Sequence, residues 1–262
     1  MKLALVSDLH GNLEALDAVL RELDRTSPGA RLVCAGDVVG YGPDPEACIA
    51  RLRERAALCV MGNHEEMVLG RRDFSRCVHA GIVAAVWTRR QLSPGARNFI
   101  ERLPYSVEAA LGVVVCHGDL ESADTYVSTR ERAEAALEQL RARHASAEVL
   151  VCGHTHHAAL FSRQEGFRHA GNGAEYPLAL PCVINPGAVG QARGAAPLAS
   201  YALLDMERRR VWFHEVAYDF RTTLRKLHAA KLVAQVVLQP PQGVWRRVER
   251  YKARWARYWA ER

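Results

Sequence analysis

The chain has 262 residues, 49% of them hydrophobic and 24% charged, the balance of a globular protein with a sizeable core. No apolar run approaches the roughly 18 residues that cross a bilayer, and the opening Met1-Lys2-Leu3-Ala4-Leu5-Val6-Ser7-Asp8 is too short and too soon charged for a signal peptide. A cytoplasmic chain without a transmembrane segment is therefore the expectation. The net charge of +6 belongs mostly to one end, because residues 244–262 carry seven basic side chains and two acidic ones.

Residues 2–8 predict a buried first strand ending in a polar loop. The spacing of Leu13, Leu16, Leu20 and Leu23 predicts a helix over 12–25, with Asn12 as its N-cap. A strand over 31–37, a helix over 44–55 opening on Pro45 and a strand over 58–63 continue the βαβ alternation. Residues 65–103 then read as mostly helical, broken at Ser93-Pro94-Gly95, and their place after a polar strand end suggests a cap over a site. Strands are expected over 107–110 and 112–117, a helix over 130–144, and strands over 148–152, 158–162, 182–185, 198–205 and 211–216. Few helices separate these later strands, so the second half should be more antiparallel. A helix over 221–238 is broken by Gln239-Pro240-Pro241 before the basic end. Two sheets packed face to face between flanking helices accommodate both halves.

Seven cysteines are scattered without a CxxC pair. Cys34, Cys116 and Cys152 lie in apolar runs, where free cysteine acts as a small hydrophobe, so a structural role is read for them rather than a redox or metal one.

Five polar clusters fall at the ends of apolar runs: Asp8-Leu9-His10, Gly36-Asp37, Gly62-Asn63-His64-Glu65, His117-Gly118-Asp119 and Gly153-His154-Thr155-His156. Strand ends are where α/β sheets gather their loops into sites, and Asp, His and Asn all ligate metals. Any one cluster is weak, since a histidine at a strand end is usually a capped surface or core residue. Their joint occurrence is the signal.

In that order the clusters spell D-x-H, G-D, G-N-H-[DE], H and G-H-x-H, and the chain resembles the calcineurin-like metallophosphoesterase superfamily from Asp8 to about Arg193. The resemblance implies a four-layered α/β/β/α sandwich with a helical cap insertion and a binuclear metal site. One divalent ion would take Asp8, His10 and His156, the other Asn63, His117 and His154, with Asp37 bridging. Such a mixed donor set suits Mn²⁺ first, with Fe, Ni²⁺, Zn²⁺ or Co²⁺ as alternatives, rather than Ca²⁺. The reaction implied is in-line attack of a metal-bridging hydroxide on a phosphodiester or nucleotide-like phosphoanhydride. In the family the G-N-H histidine, here His64, contacts the phosphate and protonates the leaving oxygen, while Asn63 beside it is held by metal. Glu65 reads either as an assistant to His64 or as the acid that opens a helix.

Two segments resemble substrate contacts. Residues 185–193 are similar to a glycine-rich loop of bacterial members, with Ala188 where many carry serine and with Arg193 placed to grip a phosphate or else to lie solvated. In the Ser/Thr protein phosphatases the bridging-Asp motif continues as G-D-x-x-D-R-G, whereas here it reads Gly36-Asp37-Val38-Val39-Gly40-Tyr41-Gly42. The histidine-orienting acid and the phosphate-holding arginine are thus replaced by Gly40 and Tyr41, which points to the bacterial and archaeal small phosphodiesterase-like branch. A phosphomonoesterase or protein phosphatase is the alternative, followed by a non-catalytic scaffold or a nucleic-acid-binding protein. Trp87-Thr88-Arg89-Arg90 could meet a base and a phosphate, although packing of Trp87 between helices is the preferred reading.

The domain expectation is a metallophosphoesterase unit over 1–220, capped over about 65–105, and a helical extension over 221–262. In that extension Val244, Val248, Tyr251, Trp255, Tyr258 and Trp259 share one face and the arginines lie mainly opposite. Docking on the body or on a second subunit is preferred there to contact with nucleic acid or an anionic membrane surface. The main partner expected is a small phosphorylated substrate.

Overall fold

The computed structural model describes residues 2–72, 79–193 and 196–232. The expected basic helix at 244–262, the segment 233–238 and residues 73–78 of the expected cap lie outside the described residues.

Alternation along the first strand, β1 (Lys2–Val6), sets the layers. Leu3 and Leu5 enter one buried cluster, Ala4 and Val6 another, because successive side chains of a strand point to opposite faces. Both faces are covered, which is why the strand reads as a continuous apolar run. Helices α1 (Leu13–Thr26) and α2 (Pro45–Glu54) cover the outer face, β2 (Arg31–Cys34) and β3 (Leu58–Cys59) extend the sheet, and α3 (Asn63–Leu69), α4 (His79–Gln91) and α5 (Pro94–Glu101) follow. Next come β4 (Ser106–Ala110), β5 (Val113–Cys116), α6 (Arg130–Arg143), β6 (Val149–Val151), β7 (Ala159–Ser162), β8 (Gly166–His169), β9 (Glu175–Pro177) and β10 (Cys182–Asn185). Strands β11 (Leu198–Asp205) and β12 (Arg210–Ala217) and helix α7 (Phe220–Ala229) complete the described chain.

One six-stranded sheet runs β3-β2-β1-β11-β12-β9 and the other β4-β5-β6-β10-β7-β8. Within the first, β1, β2 and β3 are parallel; within the second, β5, β6 and β10 are parallel. Leu3, Leu5 and Val33 from one sheet meet Val113, Val115, Val149 and Ile184 from the other in a shared core. On the far side of the second sheet, Val114, Cys116, Leu150 and Cys152 pack on Ala133, Leu137 and Leu140 of α6. Helix, sheet, sheet and helix make the expected four-layered sandwich.

Six cysteines among the described residues are buried and free. Burial pushes Cys152 and Cys182 up to about 12, which leaves inert thiols and agrees with the structural reading. No described helix is long and apolar enough to cross a membrane.

Several expected elements stop early. The first strand ends at Val6 and the second at Cys34, because Asp8 and Asp37 beyond them take left-handed backbone. The third strand was expected to reach Asn63, but Asn63 is already the first residue of α3, with Gly62 as N-cap. Helix α7 ends at Ala229 rather than running to 238, since Lys231 has φ +56° and turns the chain back to bond Leu232 N–H to the Leu227 carbonyl. Strands β8 and β9 had no sequence signal; they are short and largely exposed, with too few apolar residues to alternate. Trp87 packs with Phe220, Leu224, Leu227 and Leu232, and the Arg89 guanidinium donates to the Met67 and Val68 carbonyls at the end of α3. These are packing and helix-end contacts.

Candidate metal centre

The five clusters leave the C-terminal ends of β1, β2, β3, β5 and β6, so both sheets feed one seam. The turns are sharp. Asp8, His10, Asp37, Tyr41, His154 and His156 all have φ between 49° and 64°, a region that costs non-glycine residues about 1–3 kcal/mol each and concentrates at functional sites. Neighbouring loops stitch these turns in place: His10 N–H donates to the Asp37 carbonyl, and Gly190 N–H donates to that of Asp8.

Two groups of side chains result, joined by a third made of His10, Asp37 and His64, each with its ligand atoms within 4.8 Å of one another. In the first, His10 Nε2 lies 3.2 Å from His156 Nε2, and Asp8 Oδ1 is 3.3 Å from His156 Nε2. The second holds Asp37, His117 and His154, with His117 Nε2 3.2 Å from Asp37 Oδ2 and 3.0 Å from Asn63 Oδ1. Asp37 also faces the first group, its Oδ2 3.8 Å from His10 Nε2. All seven residues are at most 8% exposed.

The rings are fixed from behind. Backbone carbonyls only accept, so His117 Nδ1 donates to Ala35 at 2.7 Å, His156 Nδ1 to Gln191 at 2.8 Å and His10 Nδ1 to Val39 at 3.4 Å. Each Nε2 is thereby aimed at the site, the arrangement that orients metal-bound imidazoles. Asp8 Oδ2 accepts His154 N–H at 3.1 Å and Asp37 Oδ1 accepts His64 N–H at 2.9 Å, which leaves Asp8 Oδ1 buried without a hydrogen-bond partner.

Electrostatics sharpen the point. Burial drives His10 and His156 well below the ordinary imidazole range, helped by neighbouring rings. Burial, with His117, takes His154 down to about 3. Burial would lower His117 as well, but the Asp37 carboxylate reverses this and raises it to about 10. For Asp37 burial pushes up, and the charges of His117 and His64 outweigh it, holding the carboxyl well below its usual range. Asp8 is raised by burial to about 7. Two neutral Nε2 lone pairs and an Asp8 carboxyl oxygen without a hydrogen-bond partner thus converge in the protein interior, and a cation among them would satisfy all three. The residues present fit divalent metal.

Around this core lie further residues of the same loops. Glu65 is fully buried, and its carboxylate accepts N–H from Asp37 (3.0 Å), Val39 (3.0 Å) and Gly62 (2.8 Å). It opens α3 as an acid should, and it also clasps the Asp37 loop to the Asn63-His64 turn. His64 is 5% exposed, with His10 4.7 Å and Tyr41 4.5 Å away between ring centroids and with Nδ1 unpartnered. Gly40, at φ +87°, leaves room for that ring; a Cβ there would overlap it. Ala188 is buried, and its loop backs Asp8 through Val189 and Gly190. Arg193 donates to the Thr155 carbonyl at 3.3 Å.

The family model for the calcineurin-like phosphoesterase superfamily domain matches residues 1–209. The chain belongs to that superfamily. A metallophosphoesterase from Sphaerobacter thermophilus has the same fold at a TM-score of 0.78 and 30% identity, over 90% of this chain and 97% of that one. An uncharacterized protein of Methanocaldococcus jannaschii is 27% identical over 239 residues, 86% of this chain and 91% of its own length. Serine/threonine-protein phosphatase 1 of Salmonella typhimurium is 34% identical over 130 residues, covering 46% of this chain and 60% of that protein. Calcineurin-like phosphoesterases generally bind divalent metal ions, and membership implies a hydrolase acting on phosphoesters.

Proposed function

We propose that this calcineurin-like phosphoesterase hydrolyses a phosphodiester or nucleotide-like phosphoanhydride with two divalent transition-metal ions, Mn²⁺ foremost. Asp8, His10 and His156 would hold one ion, Asn63, His117 and His154 the other, and Asp37 both. The reading is carried by one observation: the His10 and His156 lone pairs and the orphaned Asp8 Oδ1 converge within 3.2–3.9 Å. Bound cations would supply a water-derived nucleophile at neutral pH and neutralise charge on the phosphoryl oxygens.

His64 is the proposed proton donor to the leaving oxygen. Its backbone is held by Asp37 and its ring by His10 and Tyr41, while burial lowers its proton affinity. Arg193 is proposed to hold a phosphoryl oxygen. Arg72, whose charge also reaches His64, is already paired with Glu66 and Asp124. Arg193, whose guanidinium also donates to the Thr155 carbonyl, would supply one positive charge there, which favours a diester monoanion over a monoester dianion.

The match to the Salmonella phosphatase supports a second reading, a phosphomonoesterase or protein phosphatase. Gly40 and Tyr41 speak against it. With Mn²⁺ added, turnover of bis(4-nitrophenyl) phosphate should exceed that of 4-nitrophenyl phosphate, and the reverse ratio establishes the second reading. The proposal extends to a catalytic unit over 1–220 followed by an extension over 221–262, in a cytoplasmic setting that the six buried free thiols among the described residues support.

A further inference from the structure

We propose that Tyr126 and Arg193 form a subsite for an aromatic group carried on the phosphate, so that the substrate is an aryl or nucleobase-bearing phosphoester; this rests on the phosphoesterase reading above. Tyr126 lies in the loop between β5 and α6. That loop is internally tied: Asp119 Oδ1 accepts N–H from Glu121 at 2.9 Å and Ser122 at 2.7 Å, and the Ser122 hydroxyl accepts Asp124 N–H at 3.1 Å. Val127 anchors the loop in the core under α6. Tyr126 is thereby held outward at 46% exposure.

An exposed aromatic alone needs no explanation. Among the described residues Val86, Tyr105 and Leu111 are also exposed, yet Val86 and Leu111 carry no ring and the Tyr105 hydroxyl is committed to Glu66. Tyr126 differs in position. Its ring centroid is 4.1 Å from that of His154, tilted by 32°, and the Arg193 guanidinium carbon is 5.9 Å from it. A substrate with its phosphoryl group at the metal residues and Arg193 would bring an attached ring over this wall. A tyrosine face stacks on any flat π system regardless of sequence, and a guanidinium plane can do the same. Alkyl phosphoesters would gain nothing from it.

Calorimetry on the Mn²⁺-loaded protein with phenylphosphonate and methylphosphonate, which have no ester bond to cleave, tests the subsite. The wild-type chain should bind the phenyl compound about tenfold more tightly, the scale of one stacked ring. Tyr126→Phe should keep that preference. Tyr126→Ala should bring it within about twofold by weakening only the phenyl compound. No measurable preference in the wild type, or equal weakening of both ligands in Tyr126→Ala, overturns the proposal. Turnover of bis(4-nitrophenyl) phosphate is followed in parallel. Absent turnover with the phenyl preference intact counts against the proposed function alone, whereas turnover without the preference counts against the subsite alone.

Discussion

Glu65 and His64 are neighbours in sequence with different proposed roles, and substitutions should separate them. In Glu65→Gln the amide nitrogen must face one of three backbone N–H donors, so the clasp between the Asp37 loop and α3 opens. Metal affinity should fall by about 10–100-fold, the usual effect of losing a group that orients ligands, and metal titration reads it directly. An unchanged affinity would remove Glu65 from the site's support. His64→Ala should instead abolish turnover while metal content stays near two ions per chain. Full turnover in that variant sinks the proton-donor role. Protons give a third test. His117 is raised to about 10 by Asp37 and Asp8 to about 7 by burial, so at pH 6 both are protonated and must lose a proton to bind a cation. Affinity should therefore rise with pH from 6 towards 10, with proton release seen by calorimetry in buffers of different ionisation enthalpy. A flat profile contradicts the assignment.

At the level of elements, the gathering of the five polar clusters was legible because each interrupts an apolar run at a strand end, where periodicity stops. Asn12 was legible too, as the residue before the Leu13-Leu16-Leu20-Leu23 stripe. Its second duty was not: besides capping Ala15 N–H at 3.2 Å, it donates to the Gly190 carbonyl at 2.9 Å and accepts from Thr223 of α7. Asn12→Ala should thus cost more than the ~1 kcal/mol of a lost N-cap, and denaturant unfolding should show it. A loss within that figure would mean the contacts to Gly190 and α7 contribute little. Tyr126 was illegible, a single tyrosine in a loop without period or motif. The short edge strands β8 and β9 were missed for want of alternation, and the left-handed turns because Asp and His carry no marker for positive φ in the way glycine does.

Across the whole molecule, the four layers followed from apolar strands that are buried on both faces, and the order of the motifs matched the order of the strand ends. What no linear reading supplied is the pairing of β1 with β11 or of β10 with β6, which depends on chain returns longer than any local pattern. The first sheet contributes Asp8, His10, Asp37 and Asn63, while the second contributes His117, His154 and His156. A cation shared by these side chains would clamp two slabs that also meet through the apolar core and through hydrogen bonds such as Arg31 to the Ala109 carbonyl and His117 to the Ala35 carbonyl. Chelation should therefore loosen the sandwich at its open end first, with hydrogen exchange quickening in the loops after β1, β2 and β6 while the strand interiors stay protected. Hydrolysis would then fade ahead of any change in far-ultraviolet dichroism, making the enzyme a sensor of its own inter-sheet seam.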